Sequence, residues 1–141
     1  MDISIDKVIT IALSAIALLL SIYNFNKTRM VNFYQDMDRL YLELLKVGIA
    51  NPDFVNPDMT CDYRNKFERN QRLQYELYAF MAMNICETIY DRKASKSFFR
   101  TWECIIEIEN RLHRCWLEDG DNKRRFKKDF IDYLSRFKDS K

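Results

Sequence analysis

The sequence predicts an all-α protein in which one N-terminal transmembrane helix continues into a cytosolic antiparallel bundle of about four helices. Between Val8 and Phe25 no residue is charged, and none is Gly or Pro. The whole chain of 141 residues holds only two Gly and two Pro, which favours long helices over turn-rich β structure. Beyond this first run, apolar residues recur every three or four positions, the spacing of one helix face.

The uncharged run is long enough to cross a bilayer. At about 1.5 Å per residue, about 20 helical residues approach the ~30 Å of the hydrocarbon core. We therefore expect a transmembrane segment over residues 1–27, with the span at about 8–25, and a helical domain over residues 28–141. A cleaved signal peptide would need a positive n-region, and this apolar run continues well past any cleavage site of the A-x-A type.

The charges that flank the run predict its orientation. Lys27 and Arg29 follow it directly, whereas Asp2 and Asp6 offset Lys7 ahead of it. The positive-inside rule therefore places the N-terminus outside and the domain in the cytoplasm.

A stripe of small and weakly polar residues lies along the same helix. Its members follow one another at intervals of three or four residues, so that all fall on one narrow face. They are Thr10, Ser14, Ala17, Ser21, Asn24 and Thr28. Three interpretations remain open: a packing seam between membrane helices, the lining of a pore formed by several copies, or a chance arrangement of hydroxyl residues that bond to their own backbone. The first two predict a homo-oligomer.

The next elements follow from breakers and apolar spacing. We expect the first helix to run on from the membrane and to end at Gly48, a usual C-terminal position for glycine. Residues 48–62 hold both prolines and are predicted as one long loop. A central helix is expected over residues 63–93. Its predicted buried face is Phe67, Leu77, Phe80, Met81, Ile85 and Ile89.

Two further helices complete the predicted bundle. The buried positions expected on the first are Phe98, Trp102, Ile105, Ile106, Leu112 and Trp116. After a break at residues 118–121, Asp121 or Asn122 is expected to cap a final helix. Its predicted apolar stripe is Phe126, Phe130, Tyr133, Leu134 and Phe137.

The sequence offers no support for an enzyme. A single histidine gives no His-pair metal site, two isolated glycines give no phosphate-binding loop, and no Ser or Cys lies in a nucleophile elbow. The four cysteines form no C-x-x-C pair and three lie in helical patterns, so reduced, buried thiols are expected. Glu109 precedes His113 by one helical turn, a pairing that is usually structural. We expect neither a catalytic residue, nor a metal, nor a cofactor.

Two polar clusters are candidate binding or structural features. The basic residues around Phe126 are expected at a helix start, where their charge opposes the helix dipole and suits anionic lipid, phosphate or RNA. They are Lys123, Arg124, Arg125, Lys127 and Lys128. The alternative is a solvated and internally paired surface. In the second cluster, Asn84, Glu87 and His113 are expected to form a buried polar network, because polar groups on a largely apolar helix need partners.

A family resemblance rests on residues of the two central helices. They are the run Tyr75–Phe80, then Asn84, Glu87, Tyr90, His113 and Trp116. In these residues and in its layout the chain resembles small bacterial proteins with one N-terminal span and a helical, HEPN-like cytosolic domain. That group includes pore-forming accessory membrane proteins of antiphage and RNA-targeting CRISPR systems. The resemblance implies an oligomeric membrane protein that acts on the envelope.

HEPN ribonucleases carry an Arg, four to six further residues and then a His. The corresponding positions ahead of His113 hold Ile106, Glu107 and Ile108, so the resemblance carries no nuclease activity over.

These observations predict a membrane-anchored oligomeric protein that forms a pore or perturbs the bilayer, assembled by its cytosolic helical domain. A role in antiviral defence is what the resemblance implies. A membrane-tethered adaptor without a pore is the alternative, and a membrane-bound ribonuclease, for which His113 would be essential, is a third. A cytosolic protein or RNA partner is not identified by the residues.

Overall fold

The all-α prediction is confirmed over the residues described by the computed structural model, 5–92 and 96–138, where no strand occurs. The α-helices are α1 (Ile5–Ala50), α2 (Pro57–Thr60), α3 (Tyr63–Lys66), α4 (Arg69–Arg92), α5 (Lys96–Glu118) and α6 (Lys128–Ser135). Short 3-10 helices lie at Pro52–Val55, Asn122–Arg125 and Arg136–Lys138. The chain separates into two compact units, Met1–Asp36 and Met37–Lys141. Asp2 and Lys93, which the predictions invoke, lie outside the described residues.

The helix α1 contains the candidate transmembrane segment. Within the described residues it is the one helix long and apolar enough to cross a bilayer, and its most apolar stretch has no buried residue. The absence of Gly and Pro between Val8 and Phe25 explains why this stretch is helical without interruption.

The helix α1 ends at Ala50, beyond the predicted stop at Gly48. Gly48 has a helical conformation, and the residues packed around it leave no space for a side chain. A Cβ atom at this position would lie 2.9 Å from Tyr78 Oη and 3.0 Å from Val55 Cγ1. This glycine therefore permits a close approach rather than a left-handed helix end.

The segment predicted as one long loop contains two short helical turns. Each proline is the first residue of its turn, Pro52 after Asn51 and Pro57 after Asn56. Proline suits this position because the first turn of a helix leaves its N–H groups unpaired. The Asn56 side chain accepts a hydrogen bond from the Asp58 N–H at 3.0 Å and so caps the second turn. The Asn-Pro pairs that predicted a loop are thus helix-start signals.

The predicted central helix is broken near its start. Phe67 takes an extended backbone conformation (φ −98°, ψ 135°) between α3 and α4. Its ring is buried against Phe54 and Tyr75, with centroids 5.6 and 5.1 Å apart. Burial of this ring outweighs the helical continuity that the local sequence favours.

The helix α4 buries a face that matches the prediction only in part, because Ile85 and Ile89 are buried as expected but other predicted positions are not. Its buried residues are Tyr75, Tyr78, Ala79, Ala82, Met83, Ile85, Cys86 and Ile89. Leu77 and Met81, predicted as core, are exposed, and Phe80 is half-buried. The segment is apolar nearly all round, so apolar spacing alone did not select the tyrosine-bearing face that packs inward.

The core of the Met37–Lys141 unit lies between α4 and α5, with α6 against α4. On α5 the predicted Phe98, Trp102, Ile106 and Trp116 are buried. The C-terminal region differs from its prediction, because a 3-10 turn precedes α6 and neither Asp121 nor Asn122 caps it. Gly120 permits the turn after α5 with a positive φ of 54°. The N-cap residue of α6 is Lys127.

The close approach at Gly48 leads to a stability prediction. Ala favours a helix by about 1 kcal/mol over Gly, but overpacking a filled site costs about 1–3 kcal/mol. We expect Gly48→Ala to lower the free energy of unfolding by about 1 kcal/mol in urea titrations of the full chain. In a Tyr78→Phe background, which lacks the nearest atom, the same change should cost less. A stabilisation by Gly48→Ala in the unaltered chain would contradict the packing argument.

Candidate functional site

The most organised polar site is a chain of four side chains in the core of the Met37–Lys141 unit. Tyr41 on α1 donates its hydroxyl to Glu109 Oε1 on α5 at 3.0 Å. Glu109 Oε2 lies 3.3 Å from Nε2 of His113, one turn further along α5. His113 Nδ1 lies 3.1 Å from the Tyr75 hydroxyl on α4. Three helices therefore contribute to one connected polar group.

Glu109 and His113 are in contact without the geometry of a well-aligned hydrogen bond. Neither Glu109 Oε2 nor His113 Nε2 finds a hydrogen-bond partner of good geometry among the described residues. At 3.3 Å the two atoms nevertheless face each other. These partners favour the tautomer that carries the proton on Nε2, so that Nδ1 accepts from the Tyr75 hydroxyl.

The site is closed to solvent. His113 is 0% exposed and Glu109 is 3% exposed. The His113 ring packs against Tyr75 and Tyr78, with centroids 5.7 and 5.5 Å apart. The side chains are thus held where a substrate does not reach the imidazole in this conformation. Chemically, the arrangement keeps a carboxyl group in the core with polar neighbours for both of its oxygens.

The tyrosines around this site remain protonated well above neutral pH. Burial, and after it the charge of Glu109, raises the pKa of Tyr41 above its usual value. The same two causes, in the same order, raise the pKa of Tyr78. Burial also raises the pKa of Tyr75. Each phenol can therefore act as a hydrogen-bond donor throughout the physiological range.

The buried network predicted from Asn84, Glu87 and His113 is corrected by the structure. Asn84 is exposed, and its backbone oxygen accepts from the Thr88 hydroxyl at 2.9 Å. Of the three predicted members, His113 alone belongs to the buried site, with Glu109 as its neighbour on α5. Tyr41 and Tyr75 were missed because their partners lie far away in sequence.

Glu87 serves a second, more exposed contact. Its Oε1 accepts a hydrogen bond from the Lys127 N–H at 2.6 Å, which fixes the start of α6 to α4. The Lys127 ammonium group pairs with Asp91 one turn further along α4. The carboxylates of α4 therefore hold the N-terminus of α6.

Most of the predicted basic cluster is engaged within the chain. Lys123 Nζ lies 4.0 Å from a Glu118 oxygen, and Arg124 Nη1 lies 3.2 Å from Asp121 Oδ1. The Arg125 guanidinium lies over the ring of Phe80, 5.7 Å from its centroid. The remaining member beside Lys127 is Lys128, which is exposed. The structure therefore assigns an intrachain contact to four of these five basic residues.

The stripe of small and weakly polar residues on the candidate transmembrane segment is exposed along its length. Ser14 donates its hydroxyl to Thr10 O at 2.8 Å, and Ser21 donates its hydroxyl to Ala17 O at 2.9 Å. Both hydroxyl protons are thus bonded within the helix, while each oxygen keeps acceptor capacity on the helix surface. Beyond the stripe, the Arg29 guanidinium lies 5.8 Å from the centroid of the Phe25 ring.

Two exposed apolar stripes mark the surface of the Met37–Lys141 unit. The stripe on α4 consists of Leu73, Leu77 and Met81, each four residues apart and 59%, 58% and 47% exposed. The stripe on α1 consists of Leu42, Leu45 and Ile49. A groove of about 330 Å³ borders the α4 stripe and is lined by Val47, Asn51, Phe54, Gln74, Leu77, Tyr78 and Met81. Contiguous exposed apolar surface of this kind is typical of interaction sites.

Comparisons of the chain with protein-family models, with curated proteins and with solved structures give no match.

The hydrogen bond from Tyr41 to the buried Glu109 leads to a testable prediction. Leaving a buried acceptor without its hydrogen-bond donor costs about 1–3 kcal/mol. We expect Tyr41→Phe to lower the free energy of unfolding by that amount in urea titrations. Tyr133→Phe is the matched control, because Tyr133 also donates to a carboxylate at 3.0 Å, but its partner Glu103 is only half-buried. Equal losses in the two variants would contradict a special role for the buried carboxyl group.

Proposed function

We propose that the chain is a single-pass membrane protein whose helical domain self-associates at the membrane surface. The observation that carries this proposal is the uncovered apolar surface of α1. Leu19 and Ile11 are 66% and 67% exposed, and no residue of the most apolar stretch is buried. Apolar surface costs about 25 cal/mol per Å² in water, and a bilayer removes that cost.

The proposed orientation places the domain, an antiparallel bundle of about four helices, in the cytoplasm. Lys27 and Arg29 lie on the domain side of the apolar stretch, as the positive-inside rule requires for a cytoplasmic flank. The expected location is a bacterial inner membrane.

The α4 stripe supports self-association of the domain. Leu73, Leu77 and Met81 expose large apolar side chains on successive turns of one helix, beside an apolar groove. A second copy of the chain is the partner that the bilayer concentrates, because anchored copies diffuse in two dimensions at a shared height. Such tethering raises the effective concentration of weakly binding surfaces.

Substitutions on the α4 stripe test the self-association. We expect Leu73→Gln with Leu77→Gln to raise the dissociation constant of the oligomer about tenfold or more, since each half-exposed leucine contributes on the order of 1 kcal/mol on burial. The measurement is the mass of the detergent-solubilised full-length protein by light scattering. Ile108→Gln is the control, an exposed apolar residue on α5 outside both stripes. A monomeric unaltered protein would refute this part of the proposal.

The proposal extends to a pore-forming effector, with antiviral defence as the role that the family resemblance implies. In an oligomer the stripe from Thr10 to Thr28 presents small side chains and hydroxyl oxygens on one face of each helix. Small residues permit close helix approach, and polar groups in membranes face protein or water rather than lipid.

Leucines on this stripe test the pore. We expect vesicles that hold the unaltered protein to release a trapped dye, and Ser14→Leu with Ser21→Leu to reduce that release several-fold while the protein remains in the membrane. Ile16→Leu with Ile22→Leu alters the flanks of the same helix and should leave release unchanged.

A tethered adaptor without a pore is the second candidate function. The observation that favours it is the pair of intrahelical bonds from Ser14 and Ser21, which satisfy the hydroxyl protons without any partner helix. This candidate predicts no dye release from the unaltered protein and no effect of the stripe variants. The α4 stripe and its groove would then bind another cytosolic protein.

A further inference from the structure

Two cysteines distant in sequence meet on the surface of the Met37–Lys141 unit. Cys61 follows the last turn of α2, and Cys115 lies on α5. Their Sγ atoms are 3.1 Å apart. A disulfide bond is about 2.0 Å long, so the two sulfur atoms need to approach by only about 1 Å to form one.

Contacts on either side hold the two thiols in register. The Tyr63 hydroxyl donates to Asp119 beyond the end of α5, and Arg64 Nε lies 2.5 Å from the same carboxylate. On the other side, the Cys61 N–H donates to Pro57 O at 3.0 Å, which fixes the end of α2. The α2–α3 segment is thus attached to α5 next to the sulfur pair, independently of any bond between the sulfurs.

The pair is accessible to small molecules. Cys61 is exposed and Cys115 is half-buried. A groove of about 450 Å³ borders both residues, with Arg64 and Glu118 on its walls. A reagent the size of a small peptide thiol can therefore reach Cys61 first.

The other two cysteines differ in a way that supplies controls. Cys86 is fully buried on α4, and burial raises its pKa well above the usual value, which makes it unreactive. Cys104 is exposed on α5, so the prediction of a buried thiol is wrong at this position. Its reaction with the oxidant therefore shows how an exposed thiol of this chain behaves when no second cysteine lies beside it.

We propose that Cys61 and Cys115 form a reversible disulfide, a modification site whose oxidant is a low-molecular-weight disulfide such as oxidised glutathione. In the first step the Cys61 thiolate attacks one sulfur of the oxidant, the oxidant's S–S bond breaks, and one small thiol leaves with a proton from solvent. In the second step the Cys115 thiolate attacks Cys61 Sγ, the mixed S–S bond breaks, and the second small thiol leaves. Two protein thiols are oxidised and one disulfide is reduced to two thiols.

The electrostatics assign the order of these steps. Burial, and after it the contact with Cys61, raises the pKa of Cys115 to about 11. The second step needs the thiolate of Cys115, so ring closure speeds up as the pH rises toward the pKa of this thiol, which burial raises. Closure links the α2–α3 segment covalently to α5.

The test exposes the full-length protein in detergent to oxidised glutathione, alkylates the remaining thiols and maps the products by mass spectrometry. We expect a linked Cys61–Cys115 peptide pair, a glutathione adduct at Cys104, and a melting temperature higher by about 5 °C or more, because the bond closes a long loop. Cys115→Ser should accumulate the adduct at Cys61, whereas Cys104→Ser should leave the linked pair unchanged.

Separate glutathione adducts on Cys61 and Cys115 without a linked peptide would overturn the proposal. So would free Cys61 and Cys115 under conditions that modify Cys104. Faster formation of the adduct at Cys115 in Cys61→Ser than at Cys61 in Cys115→Ser would overturn the assigned order of the steps.

Discussion

A carboxyl group in a protein interior needs polar partners, and three helices bring polar side chains together around Glu109, with a hydrogen bond to one of its two oxygens. Tyr41 of α1 donates to one oxygen, and His113 of α5 faces the other. Tyr75 of α4 contacts the far side of the imidazole. Apolar contacts alone are non-directional, whereas this chain of polar contacts specifies which faces of α1, α4 and α5 meet. The aromatic rings around His113 then fill the remaining space.

The sequence predicts those elements whose local pattern agrees with their packing. On α5 the apolar spacing predicted the buried Trp102 and Trp116, because only one face of this helix is apolar. On α4 the apolar spacing was right for Ile85 and Ile89 but wrong for Leu77, which is as apolar as any inward residue and yet is exposed. The helix end predicted at Gly48 is wrong, because the close approach that excludes a side chain there comes from Tyr78, a residue of another helix. Tertiary contacts of this kind leave no local signal.

The candidate sites show the same difference between local patterns, which are predictable, and tertiary contacts, which are not. The spacing of Glu109 and His113 places them on one face of α5, so their contact was predictable from one helix. Tyr41 contacts Glu109 from a separate helix, and no residue near Tyr41 in the sequence indicates a buried carboxyl partner. Cys61 and Cys115 meet for the same reason, through the fold of the segment between them. The sequence predicts the basic cluster from its charge, but it does not predict the carboxylates and the aromatic ring that these residues contact within the chain.

Both tryptophans of the chain, Trp102 and Trp116, lie on α5 and are buried, and none lies between Val8 and Phe25. Intrinsic tryptophan fluorescence therefore reports on the helical domain alone. The emission maximum of tryptophan moves to longer wavelength when water reaches α5. Conformational changes confined to the candidate transmembrane segment leave the emission unchanged. Far-ultraviolet circular dichroism records the helices of both units. The two spectra together therefore distinguish opening of the domain from loss of the apolar helix within a single sample.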